Sequence, residues 1–181
     1  IVFGADGVVT SASGNPILLS RYITPDPDMA ALIETLRGPI DELRTTEIGA
    51  EASELLVGDR RVCRLEECAL GNLITDAMLA GAATDPQIAI MNGGGIRANI
   101  DAGAITLGEV LTVLPFGNLL ATVDLSGADV VAALENGVST IRVTDGVVSR
   151  DGAAGRFPQV SGVRFTFDPT AEAGSRVSNV E

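Results

Sequence analysis

With 181 residues, 46% of them hydrophobic and 20% charged, the chain has the length of one domain with a sizeable core and a composition that argues against disorder. Its formal net charge of −12 would repel a polyanion, which argues against duplex or long single-stranded nucleic acid as a partner. All twelve basic residues are arginine; with neither lysine nor histidine, the chain has no imidazole base or metal ligand, no Schiff-base amine and no ordinary P-loop.

No apolar run is long enough to span a bilayer and no signal peptide is present. The chain begins at Ile1 rather than Met, as a processed or excised product would. Residues 1–20 are rich in Gly, Ser and Val and read as a strand or two with turns, the trailing edge of a preceding domain. Thr24-Pro25-Asp26-Pro27-Asp28 starts a helix, because proline fits the first turn and acids complement the dipole. Met29, Leu32, Ile33, Leu36, Ile40 and Leu43 keep helical spacing, and Gly38-Pro39 predicts a kink or a break into two short helices.

Glu47 to Val57 reads as a strand. Leu70, Leu73, Ile74, Ala77 and Met78 form the clearest amphipathic stripe, with Asn72 and Asp76 on another face as packing or capping groups. The apolar run 88–91 predicts a buried strand that ends on Asn92-Gly93-Gly94-Gly95-Ile96-Arg97. Such glycines at a strand's end mark a place where backbone approaches a ligand closely, since Gly is used where φ must be positive or a side chain would clash, and arginine offers a planar fork of donors for anion oxygens. Thr106-Leu107-Gly108-Glu109 is a capping box opening a short helix. Pro115-Phe116-Gly117-Asn118 ends it, and Leu119 to Leu125 reads as a strand. Ser126 caps a helix running to about Ser139, Asp145-Gly146 predicts a hairpin turn, and Val163 to Phe167 alternates as a strand. The final residues, from Ser175, read as a strand, so the sequence ends as if cut inside a domain.

Periodicity supports a mixed α and β domain without repeats. Cys63 and Cys68 are too few for a structural zinc site; they close a small loop in an oxidising compartment and are free thiols in a reducing one. Glu66 and Glu67 are adjacent solvated charges, and Asp101 is a turn residue. Arg64, Asn92, Arg97 and Phe116 are polar or aromatic residues at element boundaries. Together they suit an aromatic ring bearing an anion.

Four segments carry a resemblance: Cys63 to Met78, Met91 to Arg97, Leu114 to Asn118, and Phe157-Pro158-Gln159-Val160-Ser161-Gly162. In this order they resemble the C-terminal, substrate-binding domain of the 5'-nucleotidase family of metallophosphoesterases, from about Pro25 to the end. The resemblance implies an α/β fold with α-β-β-α layers and mixed sheets, with residues 1–24 a tail or linker and 25–181 the domain, truncated at its C-terminus. It implies that Arg64 and Arg97 hold the substrate anion, that Asn92 hydrogen-bonds the nucleoside, that Gly94 and Gly95 are substrate-binding residues of the loop, and that Phe116 is one of two rings sandwiching the base. The second ring belongs to a Gly-Gly-Asp-Gly segment that this sequence lacks. It further implies a Cys63–Cys68 disulfide, an extracellular, cell-surface or periplasmic location, and no catalytic residue or metal in this chain. A divalent metal pair is expected on an N-terminal metallophosphoesterase partner domain, with rotation between domains through the helix near Pro25. The expected function is nucleotide recognition for a 5'-nucleotidase-like hydrolase. The rival readings are a stand-alone binding or interaction module, for which a homodimer is one assembly, and the same enzyme class acting on nucleotide sugars, cyclic nucleotides or nucleoside di- and triphosphates.

Overall fold

The structure, a computed structural model, describes residues 1–149 and 154–181. It divides into two compact units, Ile1–Pro39 and Ile40–Glu181.

The first unit holds a short antiparallel ladder of β1 (Val2–Phe3) and β2 (Val9–Ser11), as the Val- and Gly-rich sequence implied. It also holds most of α1 (Pro27–Arg44). Asp26 accepts a hydrogen bond from the Met29 amide at 2.9 Å, which caps the helix start. Of the expected kink or split into two short helices at Gly38-Pro39, the split does not occur: α1 is one helix with Pro39 inside it. Proline removes a single backbone donor, and the remaining ladder of an 18-residue helix carries the chain through. None of the α1 residues is buried.

In the second unit, β3 (Glu47–Ala52) pairs antiparallel with β5 (Gly103–Thr106). A short helix α2 (Arg60–Cys63) leads into the Cys63–Cys68 loop and then α3 (Ala69–Gly81). Next, β4 (Ala89–Asn92) ends on a single 3-10 turn, Gly93–Gly95. Helices α4 (Leu107–Val113) and α5 (Gly127–Val138) begin on capping boxes at Thr106–Glu109 and Ser126–Asp129. The hairpin β6 (Val143–Thr144) and β7 (Val147–Val148) turns on Asp145 and Gly146, both with positive φ, the geometry that Asp-Gly favours. β8 (Pro158–Ser161) pairs with β4, and β9 (Thr166–Phe167) with β10 (Val177–Ser178).

Helix and strand are mixed as the sequence implied. The expected mixed sheets are small: every ladder among the described residues is two-stranded and antiparallel. The predicted strand from Leu119 to Leu125 is irregular, with Leu119 at 92% and Val123 at 74% exposure. Its β-branched and leucine content suits a ladder, but no described strand pairs with it. The alternation over 163–167 likewise yields only the two residues of β9.

Two apolar clusters form the interior. One gathers Ala52, Cys63, Cys68, Leu70, Ile96, Ile100, Ile105 and Val113; the other gathers Leu65, Val138, Ile141 and Phe157, with Phe165 and Phe167 packed on it. The loop after α2 spans both clusters. Cys63 enters the first and Leu65 the second, which leaves Arg64 between them.

Candidate functional site

The second unit brings three loops together around the end of β4. The first is the disulfide loop. Cys63 and Cys68 are bonded, with Cα atoms 5.2 Å apart, and both are buried. Arg64 projects from this loop half-buried, and its Nε is shielded from solvent without a hydrogen-bond partner among the described residues.

The second loop is the glycine turn. Gly93 and Gly94 donate to the carbonyls of Phe157 (2.7 Å) and Gly155 (2.8 Å), which extends the β4–β8 pairing past the strand end. None of Gly93, Gly94 and Gly95 has positive φ. These glycines serve close approach: a Cβ on Gly93 would overlap the Cys63 carbonyl, one on Gly94 would lie 2.7 Å from the Gly155 Cα, and one on Gly95 would meet the Met91 methyl at 2.5 Å. The neighbours that the turn admits are therefore this chain's own backbone and side chains. Asn92, exposed at the strand end, donates from Nδ2 to the Gly155 carbonyl at 3.1 Å.

The third loop follows α4. Ile96 is buried and anchors the turn, and the Arg97 amide donates to the Val113 carbonyl at 3.0 Å. That bond sets Arg97 beside the Pro115-Phe116 corner. The Arg97 guanidinium carbon lies 5.7 Å from the centroid of the Phe116 ring, within cation–π range, and Nη1 donates to the Gly94 carbonyl at 3.2 Å. Phe116 is 59% exposed. Asn92, Gly95 and Phe116 line one hollow of about 440 Å³ together with Met91, Leu114 and Leu120.

Electrostatically, Arg64 and Arg97 act as a pair. Burial lowers the Arg64 pKa most, and the charges of Arg97 and then Arg60 lower it further. Three guanidinium groups therefore concentrate positive potential in a chain of net charge −12, an arrangement that an anion would relieve. Arg64, the 92–97 segment with Asn92, Gly94, Gly95 and Arg97, and Phe116 come from three separate stretches of the sequence and stand on these three neighbouring loops.

Other candidates take structural places. Asn72 donates to Glu67 at 2.6 Å, and Asp76 accepts from the Ser161 hydroxyl. Asp101 donates its amide to Glu109. A second hollow, of about 620 Å³, is lined by Glu67, Asn72 and Asp76 with Phe157, Phe165 and Arg164. Among the described residues no grouping of three or more His, Cys, Asp or Glu side chains could hold a metal ion. No described helix is long and apolar enough to cross a membrane.

Gln159 is marked in the sequence only as part of the segment from Phe157 to Gly162, with no role of its own. It is 1% exposed, its Nε2 donates to the carbonyls of Cys63 (2.9 Å) and Glu66 (2.8 Å), and its Oε1 accepts from the Cys68 amide at 3.1 Å. The available signal was an amide side chain inside the apolar-flanked strand Pro158-Gln159-Val160.

The family model described as 5'-nucleotidase, C-terminal domain matches residues 45–181. The trifunctional nucleotide phosphoesterase protein YfkN of Bacillus subtilis is 37% identical over 185 residues, covering 100% of this chain and 12% of that protein. The snake venom 5'-nucleotidase of Crotalus adamanteus is 35% identical over 189 residues, covering 98% of this chain and 30% of that protein. The solved structure of the 5'-nucleotidase precursor from Thermus thermophilus superposes with a TM-score of 0.73 at 44% identity, covering 99% of this chain and 34% of that one. The chain thus spans about a third or less of the length of these relatives.

Proposed function

This chain belongs to the family of 5'-nucleotidase C-terminal domains, and from that premise we propose that it recognises the nucleotide on behalf of a 5'-nucleotidase-like phosphohydrolase. The observation that carries this reading is the gathering of Arg64, Arg97, Asn92 and Phe116 around the end of β4. Arg64 and Arg97 provide forked donors for phosphate oxygens. The exposed ring of Phe116 offers a face on which a base stacks, worth roughly 1–3 kcal/mol. Asn92 supplies a carboxamide at the rim of the same hollow.

Bond cleavage belongs, in this proposal, to a divalent metal pair on an N-terminal domain of the parent protein. The chain's own residues bind and orient the substrate, which contributes to rate by positioning. An extracellular, cell-surface or periplasmic location is part of the same proposal; the Cys63–Cys68 disulfide and the venom relative support it.

Calorimetric titration of the 181-residue protein with AMP, adenosine and inorganic phosphate tests the reading. Phe116→Ala should weaken AMP and adenosine alike, and Arg97→Ala should weaken AMP while sparing adenosine. Arms with a nucleotide sugar, a cyclic nucleotide and a nucleoside triphosphate decide among substrate classes. A stand-alone interaction module is the second reading, favoured by the exposed apolar run Leu119, Leu120, Val123 and Leu125. Folded protein that binds none of these ligands and self-associates with rising concentration would select it.

A further inference from the structure

Arg64 can serve an anion only if its loop is held in a fixed relation to the glycine turn that carries Arg97. The disulfide joins the two ends of that loop to each other, but it does not tie the loop to β4 or β8. Gln159 supplies that tie. It lies in β8 directly opposite Met91, next to the Asn92↔Pro158 pair, just after the Gly155 and Phe157 carbonyls to which the glycine turn is hydrogen-bonded. From there its carboxamide reaches the backbone of the loop at three points: the residue before Arg64, and Glu66 and Cys68 after it.

The chemistry of the contact is specific. Two carbonyls need two N–H donors, and the Cys68 amide needs an acceptor; a primary carboxamide presents that set in one plane. A carboxylate of the same shape would face two carbonyl oxygens, and a thioether would leave all three groups unpaired in a buried place. The fold reserves the space as well, since a Cβ on Gly71 would strike the Gln159 carboxamide. Gly93, on the other side, lies against the Cys63 carbonyl and 3.4 Å (from an added Cβ) from the Arg64 Cα.

We propose that Gln159 is a positioning residue for Arg64, fixing the separation of the Arg64 and Arg97 guanidinium groups and so the width of the anion seat. It touches no ligand itself. The inference rests on the nucleotide reading for what the seat holds, but the positioning has a readout that needs no ligand. The Arg64 Nε is shielded, so its N–H should exchange slowly with solvent. Arg176 provides an internal control, because its Nε donates to the Ala171 carbonyl at 3.0 Å, well outside the disulfide loop.

The experiment compares Gln159→Glu and Gln159→Met with the wild-type 181-residue protein by arginine Nε–H exchange in NMR and by titration with AMP and adenosine. The variant that folds suffices, and Met keeps the side-chain volume if Glu does not fold. We expect Arg64 exchange to speed up while Arg176 exchange holds, with AMP affinity falling about tenfold and adenosine affinity unchanged. We also expect the AMP losses of Gln159→Met and Arg64→Ala to be non-additive in the double variant. Unchanged Arg64 exchange would overturn the inference whatever the affinities do. Exchange that rises equally at Arg64 and Arg176 would also overturn it, because Gln159 would then be a core residue alone. Selective loss of Arg64 protection in a protein whose wild type binds no AMP would uphold the positioning and defeat the nucleotide reading.

Discussion

Gly93 lies so close to the main-chain carbonyl of Cys63 that a single methyl group placed on it would overlap that oxygen. Because the Gly93 φ is not positive, proximity and not backbone conformation demands glycine here. Gly93→Ala should therefore push the disulfide loop away from the turn, at a cost of about 1–3 kcal/mol for overpacking. Urea unfolding measures this. Gly127→Ala is the control: nothing lies within 4 Å of a Cβ there, and alanine at that exposed first position of α5 should stabilise by about 0.5–1 kcal/mol. Equal midpoints for Gly93→Ala and wild type would mean the loops are not in contact in solution.

The cap of α4 predicts a pH dependence. The Thr106 amide donates to the Glu109 carboxylate at 2.8 Å and the Thr106 hydroxyl at 2.9 Å, while the Glu109 amide donates back to that hydroxyl at 3.2 Å. The backbone donor first and the hydroxyl second hold the Glu109 carboxyl below its ordinary range, with the Asp101 amide adding to the effect against an opposing desolvation. A carboxyl depressed in the folded state stabilises fully above its unfolded value of about 4.3 and loses that contribution as pH falls through the folded value. Glu109→Gln keeps an acceptor and loses the charge. Its stability deficit relative to wild type should be present at neutral pH and should shrink on acidification below about pH 4. A deficit independent of pH would contradict the assignment. Thr106→Ala, which removes the reciprocal cap, should cost about 1 kcal/mol at neutral pH.

Reduction of the Cys63–Cys68 bond should lower stability by about 2 kcal/mol, the chain-entropy value for so short a loop. Both sulfurs sit in the larger apolar cluster, so the thiols themselves remain well accommodated and the fold should persist. Urea midpoints with and without a strong reductant measure the difference. Coincident curves, with complete reduction verified by thiol titration, would show that Gln159 and packing alone hold the loop.

Much of this arrangement was legible along the sequence. The stripe from Leu70 to Met78 gave α3, Thr106 with Glu109 gave the start of α4, and Asp145-Gly146 gave the hairpin, because each is a local code read within a few residues. Their places at element boundaries grouped Arg64, Asn92, Arg97 and Phe116, and the resemblance supplied a role for each. What escaped was non-local. A strand from Leu119 to Leu125 needs a partner that composition cannot supply, and the continuity of α1 through Pro39 depends on how one lost hydrogen bond weighs against many retained ones. The three bonds of Gln159 connect positions more than 90 residues apart, beyond any windowed pattern. The glycines of the turn illustrate the same limit: sequence marked them as places where backbone approaches a ligand, whereas the groups an added Cβ would meet are Cys63, Gly155 and Met91 of this chain.

Whether Arg64, Asn92, Arg97 and Phe116 form one nucleotide seat is tested most directly by two-dimensional NMR of the protein titrated with AMP. We expect saturable shifts in the amides of 93–97, the Asn92 side-chain amide and the Arg64 and Arg97 Nε–H signals, together with the Phe116 ring resonances. Shifts confined to the hollow lined by Glu67, Asp76 and Arg164, or none at all up to millimolar AMP, would contradict it.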